Sequence, residues 1–329
     1  VSHRSSSSVP ATASGYDVDD AGYCRRRMKF SLWPSPERPW TEVRDLAGYA
    51  ERSGWHCLWY ADHFMPNSPT DEITDGSVHE CWSVIAALAA TTSRLRLGSL
   101  VSPTTVRHPA VLANVAATVD RISDGRLTLG VGAGWQVNEH RAYGIDLLAP
   151  KDRVDRFEEA IQIIRSLLGT ERTTFHGRHF HITDAPCRPT PIQDPLPLLV
   201  GTGGPRMSVI TARHADQWNT WGHVAEAGRR LTTIEDACAR VGRDPSSLQH
   251  SVQALFFRAD DPQSADRLRA AAPADRSIIG NADTMIEALR DYRELGFDEV
   301  IVPDFTLGRD AAERLDSYHW FESDVLPNV

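Results

Sequence analysis

Short apolar runs alternate with longer segments of helical periodicity from Met28 onward, and this alternation restricts the fold more than any other feature of the sequence. The runs with the length and composition of strands span residues 28–33, 57–61, 95–101, 127–131, 196–201, 217–220, 250–257 and 299–302. Strands that alternate with helices are typical of parallel sheets. Eight of them over about 300 residues predict a (β/α)8 TIM barrel with insertions at its C-terminal face. A doubly wound open sheet is the alternative.

Two of the intervening segments have the pattern of helices that pack against a sheet. Apolar residues over 43–50 recur at i, i+3, i+4 and i+7. The same spacing runs over 285–295, between Asn281 as a capping residue and Gly296 as a stop signal. Residues 173–183 depart from the alternation of strands and helices, because Gly177 stands between two aromatic residues there. We predict that this segment forms an inserted hairpin near the barrel rim.

Residues 1–27 differ from the rest of the chain, since they combine a serine run, acidic residues and three consecutive arginines with few aliphatic side chains. This composition predicts a disordered N-terminal tail. Residues 28–329 are expected to form a single barrel domain. Met28 stands directly before the first strand and is a candidate for the natural start of the protein.

The charge balance restricts the partners. The chain has 44 acidic and 35 basic residues and a formal net charge of −9, whereas nucleic acids and anionic membranes need a basic surface. The five cysteines have neither disulfide-framework nor zinc-ligand spacing, which favours a reducing cytoplasm. No apolar run reaches the length of a membrane helix. We therefore expect a cytoplasmic protein whose partner is a small molecule.

The residues that follow the predicted strands are the candidates for chemistry, because function in a barrel lies at the C-terminal ends of the strands. Asp62 and His63 follow the second strand. His63 is a candidate acid or base that Asp62 would orient. The alternative is that Asp62 caps the loop and His63 packs in the wall.

Two glycine-rich segments follow the fourth and fifth strands. The first, GVGAGW at 130–135, has GxGxG rather than GxGxxG spacing, which favours a pocket wall over a dinucleotide site. The second, GTGGP at 201–205, places glycine N–H groups before a helix, an arrangement that binds phosphate; a tight turn is the alternative. His176, His179 and His181 lie close together in the predicted hairpin, but no acidic or cysteine ligand accompanies them, and no metal is predicted.

Six phrases of this sequence resemble, in the same order, phrases of the luciferase-like flavin and deazaflavin oxidoreductase family. They are LWYADHF at 58–64, LRLGSLVSPTTVRHPAVLA at 95–113, ISDGRLTLGVGAGWQVNEHRAYGI at 122–145, PLLVGTGGPR at 197–206, ADQWN at 215–219 and GFDEVIV at 296–302. The resemblance is greatest to the actinobacterial branch that uses coenzyme F420, a 5-deazaflavin. It implies F420 as the cofactor, with FMN as the alternative, and a homodimer.

The resemblance also implies roles for single residues. It places His63 beside the reacting centre of the cofactor ring, with Asp62 next to it, and it implies a non-proline cis peptide at Leu100–Val101 behind the ring. The other cofactor contacts that it implies are Ala133, Gly134, Asn138, Thr202, Gly203 and Gly204.

One position departs from the family pattern. In members that oxidise sugar phosphates or alcohols, a glutamate follows the glycine that corresponds to Gly134, and here Trp135 stands there. Tryptophan cannot transfer a proton, so Trp135 and Trp33 are expected to line a pocket for a hydrophobic or planar substrate. The predicted function is hydride transfer from reduced F420 to an organic acceptor. The alternatives are an FMN-dependent monooxygenase and a binding protein without turnover.

Overall fold

Eight parallel strands close into a barrel in this computed structural model, which describes residues 16–18, 24–26 and 28–329. The strands, labelled β1 to β8 in chain order, are Lys29–Trp33, Cys57–Tyr60, Arg96–Ser99, Leu127–Gly132, Leu198–Gly201, Gln217–Trp221, Gln249–Gln253 and Glu299–Pro303. Each pairs with the next, β8 pairs with β1, and the β4–β5 pairing completes the ring. The predicted (β/α)8 fold is therefore confirmed.

Ten helices accompany the strands in the part of the chain that the structure describes. Labelled α1 to α10, they are Trp40–Arg52, Cys81–Thr91, Pro109–Ile122, Val137–Ala142, Pro150–Gly169, Pro205–His214, Val224–Val241, Pro262–Ala271, Ala282–Leu295 and Ala311–Trp320. The helix α9 begins at the predicted cap, where the Asn281 side chain accepts from the Thr284 amide, and it ends at Gly296 with φ +101°. Only glycine adopts that backbone conformation readily.

The core lies between the strands and the helices. All four residues of β2 and all six of β4 are buried, as expected for parallel strands that are covered on both faces. On α1, the buried residues are those at the predicted spacing: Val43, Leu46, Ala47 and Ala50. The apolar periodicity of the sequence thus fixes which helix face packs on the barrel.

The seventh strand departs from its prediction. A single strand over 250–257 was expected, but β7 ends at Gln253 and a separate strand, Leu255–Arg258, leaves the barrel. That strand pairs in parallel with Ser277–Gly280, and α8 connects the two. The apolar residues 254–257 serve this second sheet rather than the barrel, a difference that hydrophobicity alone does not reveal.

The inserted hairpin is present, and it packs on the outside of the barrel with its tip near the rim. Strands Thr173–His176 and His181–Ala185 pair antiparallel. Phe180 and Ile182 pack in a cluster with residues of α3 and α5, on the outside of the barrel. The tip of the hairpin reaches the N-terminal ends of α5 and α3, where Arg178 pairs with Asp152 and the Phe180 ring lies 5.4 Å from that of His108. These helix ends follow barrel strands at the C-terminal face, so the tip lies near the rim, as expected.

Most of residues 1–27 lie outside the described part of the chain, so the domain boundary at residue 28 stays a prediction. The six described residues pair as antiparallel strands, Tyr16–Val18 with Cys24–Arg26. Among the described residues, no helix is long and apolar enough to cross a membrane. Nor do any three His, Cys, Asp or Glu side chains in that part of the chain group as metal ligands.

Candidate active site

A cavity of about 850 Å³ opens at the C-terminal ends of the barrel strands. It brings together eight of the twelve residues predicted for the site: Trp33, His63, Leu100, Val101, Gly134, Trp135, Thr202 and Gly203. Ligand sites of TIM barrels occupy this position. The remaining four, Asp62, Ala133, Asn138 and Gly204, are not among the residues that line the cavity.

One side of the cavity is built from backbone and small residues. The Leu100–Val101 peptide is cis, as the resemblance implied, and both residues line the cavity. At Gly132, a Cβ atom would lie 2.7 Å from Val101 Cγ2, and at Gly134, with φ +88°, one would lie 2.5 Å from Thr105 Oγ1. Side chains are excluded at both positions, because Val101 and Thr105 already occupy the space that a Cβ would need.

The loop after β5 continues this side of the cavity. Thr202 and Gly203 line the cavity, and Gly204 is the residue before α6. No atom lies within 4 Å of a Cβ built on Gly204. The Arg230 guanidinium lies beside Gly203, where it binds Glu226 and the Thr220 hydroxyl. The Thr202 N–H donates to the Asn219 carbonyl and the Gly204 N–H to the Thr202 hydroxyl, so among the three loop amides it is that of Gly203 that has no partner in the described part of the chain. This N–H lies next to a cation and just before a helix N-terminus, which suits an anionic group.

His63 is held by a residue that the sequence did not indicate. Its Nδ1 lies 3.0 Å from Glu139 Oε1, and the other carboxylate oxygen of Glu139 accepts from the Phe64 amide at 2.9 Å. The Glu139 side chain is 2% exposed and that of His63 is 20% exposed. The ring of Trp135 stands edge-on to His63 at 5.5 Å. When Glu139 accepts this bond, the proton lies on Nδ1, and Nε2 has no protein partner in the described part of the chain.

Asp62 does not orient His63, in contrast to our expectation. Its two carboxylate oxygens accept from Arg107 at 2.9 and 2.8 Å, and Arg107 also binds Glu80. Burial lowers the pKa of the Arg107 guanidinium, but the bonds and charges of Asp62 and Glu80 outweigh burial and the net pKa is raised. Glu80 also caps α2. We call His63, Glu139, Asp62, Arg107 and Glu80 the charged wall.

Asn138 is also placed differently from the expectation. Its amide nitrogen donates to the carbonyls of Pro66 and Glu72, at 3.0 and 3.1 Å, and its oxygen accepts from the Glu139 amide. Both donors are used within the protein, so Asn138 fixes the loop after β2 instead of facing the cavity. Ala133 packs partly against the core, between the two glycines that line the cavity.

Three aromatic rings form the opposite side, here called the aromatic wall: Trp33, Trp221 and Phe305. Trp33 lies 5.5 Å from the Trp221 ring and 5.1 Å from the Phe305 ring. Trp33 and Trp221 are the last residues of β1 and β6, and Phe305 follows β8. The side of the cavity that contains the glycines is formed by residues at the ends of β3, β4 and β5. The Gln253 amide oxygen accepts from Asn219 Nδ2 at 2.7 Å, and with the amide swapped it accepts from Trp221 Nε1 at 3.0 Å instead.

Three arginines reach the cavity, but two are paired. Arg38 binds Asp304 through two nitrogens, at 2.9 and 3.2 Å, and Arg230 binds Glu226. Burial raises the pKa of Asp304, and the bonds from Arg38 oppose that shift. Arg276 has no carboxylate partner among the described residues and lies 5.7 Å from the Trp221 ring. It is the one unpaired cation of the described cavity lining.

Sequence reasoning missed Glu139, Trp221, Gln253, Phe305 and Arg276. Trp221 and Gln253 end β6 and β7, so the rule that points to strand ends would have found them. Glu139 lies on α4, five residues after a glycine turn, and its contact with His63 crosses 76 positions of sequence. Arg276 lies in the insertion after β7. No local pattern signals contacts of this kind.

The sequence profile of the family described as luciferase-like monooxygenase matches residues 27–275. This match covers most of the chain. The chain belongs to the luciferase-like monooxygenase family. The resemblance seen in the six phrases is therefore confirmed, and the cavity described above lies where those phrases come together.

Curated relatives within this family carry F420 in their names. An F420-dependent glucose-6-phosphate dehydrogenase of Kineococcus radiotolerans is 30% identical over 242 residues, covering 70% of this chain and 68% of that protein. A protein with the same description from Intrasporangium calvum is 29% identical over 325 residues, covering 88% and 94%. An F420-dependent secondary alcohol dehydrogenase, solved with an F420–acetone adduct, superposes with a TM-score of 0.77 at 18% identity, covering 92% and 100%, which supports the fold.

Proposed function

We propose that this protein is an oxidoreductase that uses coenzyme F420 to transfer hydride to or from an organic substrate in the cavity. The observation that carries the proposal is the His63–Glu139 pair facing a glycine-lined cavity, in a chain whose curated relatives are F420-dependent dehydrogenases. An FMN-dependent monooxygenase shares the fold but not these relatives. A binding protein without turnover would have no use for the pair.

The residues present fit a flat cofactor with an anionic tail. Leu100, Val101, Gly132 and Gly134 line one side of the cavity with apolar side chains and backbone, a surface against which a flat ring can pack. The Gly203 N–H, the first turn of α6 and the neighbouring Arg230 supply the donors and the positive charge for a phosphate. The cofactor would therefore lie along β3, β4 and β5, with its ring towards His63.

The protein contributes proton transfer and orientation. When bound, reduced F420 supplies a hydride, and the oxidised form accepts one. Glu139 keeps a proton on Nδ1 of His63 and fixes the ring, so neutral Nε2 can accept a proton from a substrate alcohol. In the opposite direction, the imidazolium returns that proton to the substrate oxygen. A carboxylate that holds a histidine in this way performs the same task in hydrolases.

We propose a planar, largely apolar substrate. The aromatic wall and Trp135 offer ring faces and edges rather than the many polar groups that a sugar needs. Arg38 and Arg230 are already paired with carboxylates, which leaves Arg276 at the mouth for a single anionic group. Glucose 6-phosphate, named for the relatives, is therefore expected to be a poor substrate. The homodimer and the cytoplasmic location stay predictions.

Fluorescence titration of the purified protein with F420 and with FMN tests the proposal. We expect F420 to bind at least tenfold more tightly, a difference of about 1.4 kcal/mol or more. A second titration uses the Gly204→Ser variant. It measures how much the loop after β5 contributes to cofactor affinity, because serine adds a side chain there without adding charge. Equal or tighter binding of FMN would contradict the proposal, and so would a protein that binds F420 but turns over no alcohol or ketone.

A further inference from the structure

One cation of the cavity is bound to a carboxylate and has further N–H groups that are not used. Arginine has five N–H donors. Asp304 accepts from two nitrogens of Arg38, from Nε at 2.9 Å and from Nη2 at 3.2 Å. The other terminal nitrogen, Nη1, has no hydrogen bond in the described part of the chain. A guanidinium that is bound along one edge keeps a second edge, formed by Nη1 and Nη2, for another acceptor.

A ligand in the cavity can reach this second edge. Arg38 lines the cavity, and its side chain is 22% exposed. Nη1 is not one of the eight buried polar atoms without a partner that the described residues contain. Since Nη1 has no partner and is not buried, it is open to the solvent that a ligand would displace. The indole nitrogen of Trp33 differs in this respect, because it is buried.

A buried carboxylate fixes the orientation of Arg38. The Asp304 side chain is 2% exposed, and its Oδ1 also accepts from the Ser35 amide at 2.9 Å. Ser35 follows β1 and Asp304 follows β8, so this carboxylate joins the ends of two paired strands. Burial lowers the pKa of the Arg38 guanidinium, but the bond and the charge of Asp304 outweigh burial and the net pKa is raised. Arg38 is therefore a charged donor that is held in place before a ligand binds.

The charges around Arg38 favour an uncharged acceptor. The charged side chains at this point are two cations and three carboxylates: Arg38, Arg314, Asp304, Glu42 and Glu37. Glu42 accepts from Arg314 at 2.7 and 2.9 Å, and Arg314 Nε lies 3.9 Å from Asp304. Two cations against three carboxylates leave one net negative charge, which would repel an incoming anion. A neutral oxygen accepts the same N–H without that repulsion.

The donor also lies beside the aromatic wall. Asp304, which binds Arg38, directly precedes Phe305, and both Arg38 and Phe305 line the cavity. A flat ligand on the aromatic wall therefore has one edge towards Arg38. The proposed cofactor surface belongs instead to β3, β4 and β5, so the ligand of Arg38 is the substrate rather than F420.

We propose that Arg38 determines substrate specificity by donating from Nη1 to an uncharged carbonyl oxygen of the substrate. The substrate class is flat, conjugated carbonyl compounds, with the ring on the aromatic wall and the oxygen at Arg38. This inference rests on the proposed function and adds the group by which the substrate is recognised. Arg38 positions the substrate and transfers no proton.

The test compares two probes of nearly equal shape, 2-acetonaphthone and 2-isopropenylnaphthalene, in which a CH2 group replaces the carbonyl oxygen. Calorimetric titration of the protein, with and without F420, gives each dissociation constant. We expect wild type to bind the ketone at least tenfold more tightly than the alkene. Arg38→Lys keeps a positive charge for Asp304 but loses the second edge. The ketone should then bind about tenfold more weakly, whereas the affinity for the alkene should change less than threefold.

Arg276→Lys is the matched control, because it changes the other arginine of the cavity that has no carboxylate partner among the described residues. The ratio of the affinities for ketone and alkene should stay as in wild type. A third probe, 2-naphthoate, has a charged carboxylate on the same ring. We expect wild type to bind it no more tightly than the ketone.

Each other outcome overturns the inference or the proposed function. Equal weakening of ketone and alkene by Arg38→Lys would make Arg38 a packing residue, and a wild type without preference for the ketone would remove the carbonyl site. A preference for 2-naphthoate that Arg38→Lys abolishes would show an anion site instead. Weaker F420 binding by Arg38→Lys would assign the donor to the cofactor.

Failure of wild type to bind F420 would reject the proposed function, and the titrations without F420 would still decide whether Arg38 binds the carbonyl. If Arg38→Lys does not fold, the double variant Arg38→Met, Asp304→Asn removes the donor together with the charge that it balances. The same two probes are then compared, and the ketone should again lose its preference.

Discussion

His63 and Glu139 of the charged wall line the same cavity as the aromatic wall, but the two walls treat their polar groups in opposite ways. On the charged wall, Asp62 is paired with Arg107 and Glu139 holds both His63 and the Phe64 amide. On the aromatic wall, the N–H of Trp33 has no partner. Complete pairing fixes the groups that must be in place before the reaction, whereas aromatic rings bind a ligand through contact area and need no fixed polar partner. The comparison thus separates the part of the site that is built in advance from the part that is completed on binding.

His63→Ala would break the charged wall at its reacting group and should have the largest effect. We expect turnover to fall by roughly 10² to 10⁴, because the proton acceptor is lost. The dissociation constant of F420 should change less than about tenfold. Turnover, F420 affinity and melting temperature are measured on the same variant. A destabilised protein with normal turnover per folded molecule would show that His63 is a packing residue.

Arg107→Met would test whether pairing, rather than charge as such, stabilises this wall. The change leaves the buried Asp62 carboxylate without its partner, and the free energy of unfolding should fall by about 3 kcal/mol. Urea denaturation measures the loss. The double variant Arg107→Met, Asp62→Asn removes the unpaired charge and should recover part of it. No recovery would mean that packing by the arginine stem accounts for the loss.

Glu139→Gln would sharpen the comparison, because it keeps the size of the side chain and removes the charge. Turnover should fall roughly tenfold to hundredfold, since the fixed orientation and proton position of His63 are lost. The affinity for F420 should stay nearly constant. The pH dependence of turnover separates the two possible roles: a changed profile indicates action through His63, and an unchanged profile with a lower melting temperature indicates support of the loop at Phe64 alone.

Gly204→Asp should have the smallest effect of these variants on the fold and should act on binding alone. Gly204 belongs to neither wall, and a Cβ there meets no atom within 4 Å. Aspartate also suits the position before a helix, so the melting temperature should hold or rise. F420 should bind at least tenfold more weakly through charge repulsion, whereas Gly204→Ser should bind it almost as wild type does. Equal affinities of the two variants would place the cofactor phosphate elsewhere.

The fold was predictable because the signals for it are local. Apolar spacing gives α1 its buried face, and Asn281 and Gly296 mark the ends of α9 within a few residues of sequence. The exception is the split of the seventh strand after Gln253, where one apolar run serves two sheets. Periodicity identifies buried residues but not the layer in which they are buried.

The partners within the site were not predictable in the same way. Asp62 and His63 are adjacent, so a local interpretation joins them, yet their side chains bind Arg107 and Glu139, 45 and 76 positions away. Neighbouring residues at the end of a strand point in opposite directions, which explains the separation. His140 illustrates the same limit: it follows Glu139 directly but binds Thr105 and the Gln136 carbonyl, away from His63.

The split of the seventh strand has a consequence for how such an enzyme can be altered. The strands Leu255–Arg258 and Ser277–Gly280 form their own small sheet, and the segment between them carries α8 and Arg276 to the mouth of the cavity. Because no barrel strand runs through that segment, an exchange of residues 259–276 leaves the eight-stranded ring and every residue of the two walls in place, although it removes the contact of Arg276 with the Trp221 ring. Residues 259–276 can therefore be exchanged as one unit. Variants with new substrate ranges can then be selected while the residues of both walls stay unchanged.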